Sequence, residues 1–325
     1  MVDSKKVLLS CSHLTKEFPA EGSKKQVVHA VTDVSFPIYE GETLALVGES
    51  GCGKSTLGRL LIRLLPSTDG SIIYDGKDIT KLSEKAFHPL RRDMQIIFQD
   101  PYASLDPRMN VEAILSEPLK ANHVVSSKAE LQEKVLSLMD MVGIQREYLH
   151  RFPHQFSGGQ RQRIGIARAL ALEPRFVVCD EPVSALDVSI QSQILNLLSD
   201  LQKERKLTYL FISHDLSVVR HISNRVSVMF LGKLCEIGPT EDIYSAPKHP
   251  YTKFLLSSVP NPDPTKRKQD AELLMGEMPS PMNPPSGCRF RTRCPYADKL
   301  CAEKEPEEKI VDASGRKVYC HHPLS

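Results

Sequence analysis

The chain has 325 residues, 42 Lys+Arg against 40 Asp+Glu and 41% hydrophobic positions, the composition of a soluble globular protein long enough for one large domain plus an appendage, or for two domains. A formal charge of +2 argues against a strongly cationic nucleic-acid reader, so no nucleic acid is expected as a partner. No run approaches the roughly 18 apolar residues of a membrane-spanning helix, and Met1-Val2-Asp3-Ser4-Lys5-Lys6 has no signal-peptide core, which predicts a cytosolic chain.

The first strong strand signal is Leu44-Ala45-Leu46-Val47, followed at once by Gly48-Glu49-Ser50-Gly51-Cys52-Gly53-Lys54-Ser55-Thr56 and then by Leu57, Leu60, Leu61 and Leu64 at helical spacing. The middle run fits G-x4-G-K-[ST] in the strand-to-helix context that the pattern requires. Glycines let backbone N–H groups curl around an anion, and the following helix N-terminus adds its positive dipole. Lys54 would meet the β and γ phosphates of ATP, and Ser55 would hold Mg²⁺.

Gln95-Ile96-Ile97-Phe98 reads as the next buried strand. From about Asn110 to Leu172 the rhythm changes: Leu131, Val135, Leu138 and Val142 mark an amphipathic helix and convincing strands are absent, so a helical subdomain inserted in the core is predicted. Phe176-Val177-Val178-Cys179 then forms a strand whose tip carries Asp180 and Glu181, where open α/β sheets place their chemistry. Asp180 is assigned to the Mg²⁺ shell, and Glu181 to orienting or deprotonating the water that attacks the γ phosphate. A helix with Ile190, Ile194, Leu197, Leu198 and Leu201 and a strand at Tyr209-Leu210-Phe211-Ile212 complete an α/β fold around a mostly parallel sheet.

Phe156-Ser157-Gly158-Gly159-Gln160-Arg161-Gln162 narrows the class, because it resembles the signature motif of ABC transporter ATPases. The resemblance implies that Ser157, Gly158, Gly159 and Gln160, opening a helix over Arg161 to Leu172, bind the γ phosphate of ATP held on a partner subunit. It also implies roles for Gln99 (Mg²⁺ or the attacking water), for Asp187 across the dimer and for His214 as a hydrogen-bond partner of the γ phosphate. Phe18 is the candidate for stacking on adenine, where the family more usually has tyrosine. The runs Ile97 to Pro107, Pro182 to Ser189 and His249-Pro250-Tyr251-Thr252 look like the ATP-binding subunits of dipeptide and oligopeptide importers, a family that also includes nickel importers. Tyr102 to Asp106 reads either as part of the contact with the membrane subunit or as an exposed turn.

Thirteen of the 23 prolines fall in residues 236–325, which places a boundary near Cys235. The domains expected are a nucleotide-binding domain over 7–235, with its helical subdomain at about 110–172, and an extension over 236–325. Within the extension an extended connector is expected over 261–287 and a metal site over 288–320. Cys288, Cys294, Cys301 and Cys320 put four of eight cysteines in 33 residues. Four thiolates suffice for an iron-sulfur cluster; zinc, aided by His321 or His322, and unligated thiols are the alternatives. The resemblance to the importer family implies a 4Fe-4S cluster, and because a small extension with little apolar content can need a metal simply to fold, a structural duty is expected ahead of a redox one. Cys11, Cys52, Cys179 and Cys235 read as buried or incidental thiols. Arg289, Arg291 and Arg293, with Lys266-Arg267-Lys268, read as a solvated basic face rather than one for lipid headgroups.

The resemblance therefore implies an ATP-hydrolysing subunit that powers peptide import from the cytoplasmic side of the cell's inner (plasma) membrane. Its implied partners are a second homologous ATPase subunit in a heterodimer, two transmembrane permease subunits and an extracytoplasmic solute-binding protein. A nickel or other small-solute importer is the alternative. Chromosome-maintenance ATPases separate the two motifs by very long coiled coils, whereas Ser157 follows Gly48 by 109 positions, and translation-factor relatives carry two cassettes per chain.

Overall fold

The computed structural model describes residues 6–20, 26–259 and 277–325. Met1 to Lys5, Lys266-Arg267-Lys268 and most of the expected connector lie outside the described residues. The chain forms two compact units, Met1–Lys81 with Phe211–Ser325, and Leu82–Leu210.

The first unit begins with two strands of 13 residues, β1 (Val7–Pro19) and β2 (Val27–Tyr39), paired antiparallel. The buried strand β3 (Thr43–Val47) leads into α1 (Lys54–Leu61), and β4 (Asp69–Tyr74) and β5 (Lys77–Asp78) follow. Strands β2, β1, β4 and β5 form a four-stranded antiparallel sheet that the sequence reading did not anticipate. All five residues of β3 are buried, as a strand covered on both faces requires.

The second unit contains α2 (Glu84–Phe87), β6 (Met94–Ile97), α3 (Val111–Ala121), α4 (Lys128–Met141), α5 (Gly158–Leu170), β7 (Phe176–Asp180) and α6 (Val188–Arg205). Strands β6 and β7 pair in parallel, Met94 opposite Phe176 and Ile97 opposite Cys179. The segment 110–172 holds α3, α4 and α5 and no strand. Asn110, Ser127 and Ser157 cap the three helices with side-chain oxygens, which fixes where each begins. Helix α5 starts at Gly158 rather than Arg161.

Strand β8 (Thr208–Ser213) carries the chain back into the first unit, where α7 (Leu216–Ile222), β9 (Arg225–Phe230) and β10 (Lys233–Pro239) follow. There β9 lies parallel to β3, with Leu44 opposite Arg225 and Val47 opposite Val228. Helices α8 (Thr240–Ser245), α9 (Pro250–Ser257) and α10 (Lys299–Glu303) and strands β11 (Glu308–Ile310) and β12 (Lys317–Tyr319) end the chain. Strand β12 pairs with β10 through Glu236 and Ile237. The C-terminal residues thus continue a sheet of the first unit, beyond a point that the prolines mark as a boundary. Among the described residues no helix is long and apolar enough to cross a membrane.

Candidate nucleotide and metal sites

In the first unit the glycine loop leaves β3 under tight backbone constraints. A Cβ on Gly48, whose φ is +153°, would lie 2.1 Å from the Met229 carbonyl oxygen, and one on Gly53, at φ +106°, 2.1 Å from that of Ala30. Neither position tolerates a side chain, so the loop is pressed between strand β9 and the β2 backbone. Cys52 is buried, its thiol pushed up by burial, and its carbonyl accepts the Gly232 N–H at 2.9 Å. Lys54 at the start of α1 is 4% exposed and donates Nζ to the carbonyls of Gly48 and Glu49, at 2.8 and 3.0 Å. Ser50 and Gly51 are exposed, and Ser55 and Thr56 half-buried. Such a loop offers backbone donors, one ammonium and a helix start to an anion.

His214 follows β8 and is exposed, with Asp215 next to it capping α7 through Ser217 N–H. Phe18 is half-buried near the end of β1, with the Lys16 ammonium 4.9 Å from its ring centroid. That contact occupies a ring face with a cation from its own strand.

In the second unit Asp180 ends β7 at 2% exposure, and Glu181 stands beyond the tip with φ +47°. Gln99, two residues past β6, donates Nε2 to Glu181 Oε2 at 2.9 Å. The parallel pairing of β6 and β7 brings these two together from 82 positions apart. A carboxylate held beside an amide can accept a proton from one water while the amide orients that water.

Ser157 makes a reciprocal cap: its Oγ accepts from Gln160 N–H at 3.3 Å, and Gln160 Oε1 accepts from Ser157 N–H at 3.0 Å. Gly159 lets α5 approach α6, since a Cβ there would lie 2.5 Å from Ile190 Cγ2. Asp187 is exposed at the N-cap of α6. Two arginines of α5 reach back to the loop that follows Gln99: the Arg161 guanidinium lies 3.6 Å from the Tyr102 ring centroid, and Arg168 Nη1 donates to the Ser104 carbonyl at 2.5 Å. Tyr102 itself is 65% exposed.

Cys288, Cys294, Cys301 and Cys320 line one small cavity together with His249, Phe290, His321 and His322. The spacing in sequence had placed them together by count; the structure gathers them through the hydrogen bond from Cys288 N–H to the Cys301 carbonyl and through α10, which Asp298 caps. Burial pushes the thiols of Cys288 and Cys320 up to about 11. Four neutral thiols, those of Cys301 and Cys320 buried and those of Cys288 and Cys294 half-buried, are a donor set that a soft metal would deprotonate and bind. Beside them, ligand atoms of Asp298, Cys301 and His322 lie within 4.8 Å of one another. Cys11, Cys179 and Cys235 are buried.

The reading of Arg289, Arg291 and Arg293 as a solvated basic face is overturned. Arg289 is 8% exposed and donates to the Leu231 carbonyl and to Thr32 Oγ1, and the Arg293 side chain is 9% exposed and ion-paired to Glu49. Arg291 Nε donates to the Ser286 carbonyl at 2.9 Å. The alternation that suggested one wet face instead sends two guanidiniums into the first unit, where burial is compensated by carbonyl and carboxylate acceptors.

Residues 31–184 match the family described as ABC transporter, and residues 235–301 that described as oligopeptide/dipeptide transporter, C-terminal region. The oligopeptide transport ATP-binding protein OppF of Haemophilus influenzae is 53% identical over 311 residues, which cover 94% of each chain. The putative oligopeptide transport ATP-binding protein YkfD of Bacillus subtilis is 54% identical over 315 residues, covering 97% of this chain and 95% of its own. Among solved structures, the dimeric structure of a post-hydrolysis state of the ATP-binding cassette MJ0796 bound to ADP and Pi superposes with a TM-score of 0.65 at 28% identity, over 71% of this chain and 98% of that one. With likeness of this extent, and with a glycine loop, a carboxylate-tipped strand and a serine-capped signature helix in place, the chain belongs to the ABC transporter family, among the ATP-binding proteins of oligopeptide and dipeptide transporters.

Proposed function

We propose that this chain hydrolyses ATP to power import of dipeptides or oligopeptides through a membrane ABC transporter. The observation that carries the catalytic assignment is the 2.9 Å hydrogen bond from Gln99 to Glu181 at the tip of β7. Glu181 takes the proton of a water as that oxygen bonds to the γ phosphorus, while the bond from phosphorus to the β–γ bridging oxygen breaks and ADP leaves. Lys54 and the loop N–H groups of residues 48–56 hold the phosphates, and His214 and Phe18 are assigned to the γ phosphate and the adenine. Ser55 of the first unit and Gln99 and Asp180 of the second are assigned to Mg²⁺; their oxygens are the hard donors that it would take, and the ion would offset phosphate charge. Ser157, Gly158, Gly159, Gln160 and Asp187 are assigned to the nucleotide of a partner subunit.

Glu181→Gln removes the base and keeps the shape. ATP hydrolysis by the assembled transporter should fall about 10²- to 10⁴-fold while ATP binding persists; full turnover in this variant would sink the assignment.

The partners proposed are a homologous ATPase subunit, two permease subunits and an extracytoplasmic solute-binding protein, with this chain peripheral on the cytoplasmic side of the inner membrane. Tyr102, exposed yet held by α5, is the side chain assigned to the permease contact. Nickel is the alternative solute, and transport assays with a labelled dipeptide against labelled nickel separate the two.

For the extension we assign a 4Fe-4S cluster to Cys288, Cys294, Cys301 and Cys320, supported by their sharing one cavity. Zinc is the second reading, favoured by the cluster of Asp298, Cys301 and His322. Purified protein with iron and acid-labile sulfide supports the first, and stoichiometric zinc without iron the second.

A further inference from the structure

Glu49 brings a carboxylate into a loop whose proposed ligand is a polyanion, an arrangement that by itself opposes binding. In the first unit this residue is held at three points. Its N–H donates to Tyr251 Oη at 2.9 Å, and its carbonyl accepts from Lys54 at 3.0 Å. Its carboxylate takes a two-pronged contact from Arg293, Nη1 to Oε2 at 2.7 Å and Nη2 to Oε1 at 3.1 Å. Neither anchor is a loose surface group. Tyr251 is 0% exposed, and its ring meets Phe230 at 4.8 Å and Phe290 at 5.2 Å between centroids. Arg293 stands next to Cys294, and Phe290 two residues after Cys288, so the segment that bears the cysteines also supplies the countercharge of the glycine loop.

We propose that Arg293 is a positioning residue for ATP: through its paired contact with Glu49 it cancels the one carboxylate charge within Gly48–Thr56 and fixes the loop in the shape that receives the phosphates. A paired guanidinium contact sets orientation as well as charge, which a lysine cannot do equally. The inference rests on the reading of Gly48–Thr56 as the nucleotide site.

The test measures the dissociation constant of a fluorescent ATP analogue, together with KM and kcat for ATP, in the full transporter assembled with Arg293→Ala, Arg293→Lys, Glu49→Gln and the double variant. Arg293→Ala should weaken nucleotide binding about tenfold, a typical coupling between linked sites, raising KM more than it lowers kcat, and Arg293→Lys should recover part of the loss. In the Glu49→Gln background, Arg293→Ala should change the dissociation constant by less than about twofold, because the charge it answers is gone. A merely structural role would give the same loss in both backgrounds, and that result overturns the proposal, as does wild-type binding in Arg293→Ala. Lys54→Ala separates the two levels. If it binds the analogue as wild type does, the nucleotide-site reading fails; if it does not bind while Arg293→Ala binds normally, only this proposal falls.

Discussion

Asp106 shows how a single side chain in the loop after Gln99 is set by its neighbour two positions on. Arg108 donates Nε and Nη2 to the two carboxylate oxygens at 3.1 and 2.8 Å, and its own N–H adds a third bond at 2.9 Å. These bonds hold the Asp106 carboxyl down at about 2, below its ordinary 3.8. The folded chain therefore binds this proton less readily than the unfolded chain. The contribution is complete above 3.8 and is lost as the pH falls through about 2. A carboxyl-detected NMR titration should find Asp106 near 2, and higher in Arg108→Ala, which keeps only the backbone N–H bond; an unmoved value in the variant would remove the Arg108 guanidinium as the main cause. At this scale the glycines, Lys54 and the pair Asp180-Glu181 are legible in sequence, because each belongs to a short run of fixed spacing. The bond between Gln99 and Glu181 and the tie between Arg293 and Glu49 are not, since residues 82 and 244 positions apart meet only through the folded sheet and extension.

Among the elements, α5 depends most visibly on one cap. Ser157 Oγ accepts the Gln160 N–H, an otherwise orphaned donor of the first turn. Ser157→Ala should cost about 1 kcal/mol, read as a shift of the urea midpoint at unchanged slope, and should lower ATP hydrolysis far more than that small change in folding explains. Equal, small losses in both would leave Ser157 a cap and nothing more. The sequence reading began this helix three residues late because two adjacent glycines are poor helix formers; the cap, not propensity, sets the start. Strands β1 and β2 escaped the reading for a related reason. Their pairing shifts register between Val7 and Leu9, between Cys11 and Leu14 and again around Lys16, so apolar positions do not alternate cleanly. Strands β3, β6, β7 and β8 were legible as short apolar runs, which is how a parallel sheet buried on both faces is written.

Across the whole molecule the proline-rich last quarter reads as an appendage, yet it is bound into the first unit by buried charge. Glu236 on β10 is 0% exposed and its carboxyl is raised by burial, while the N–H groups of Lys248 and His249 donate to it and Arg316 lies 3.6 Å away. Arg316 also donates to the carbonyls of Asp242 and Ala246, at 2.9 and 2.7 Å. Arg316→Leu takes the countercharge from a buried carboxyl and one donor from each of two carbonyls, so unfolding free energy from denaturant curves should drop by about 3–5 kcal/mol. A drop below about 1 kcal/mol, the worth of an exposed pair, would mean that the extension is held by other contacts. Composition could not reveal this, because proline content reports the path of the backbone and not where a distant arginine ends. The split of the first unit into Met1–Lys81 and Phe211–Ser325 also bears on how the protein is made. A nascent chain has completed its glycine loop long before Arg225 to Phe230 leaves the ribosome, and that later strand supplies the Met229 carbonyl against which Gly48 is pressed. Strand β12, which pairs with β10, emerges later still. The seat of the loop is thus completed only after the intervening residues 82–210 have been made, so its shape belongs to the finished unit and not to the segment that bears it.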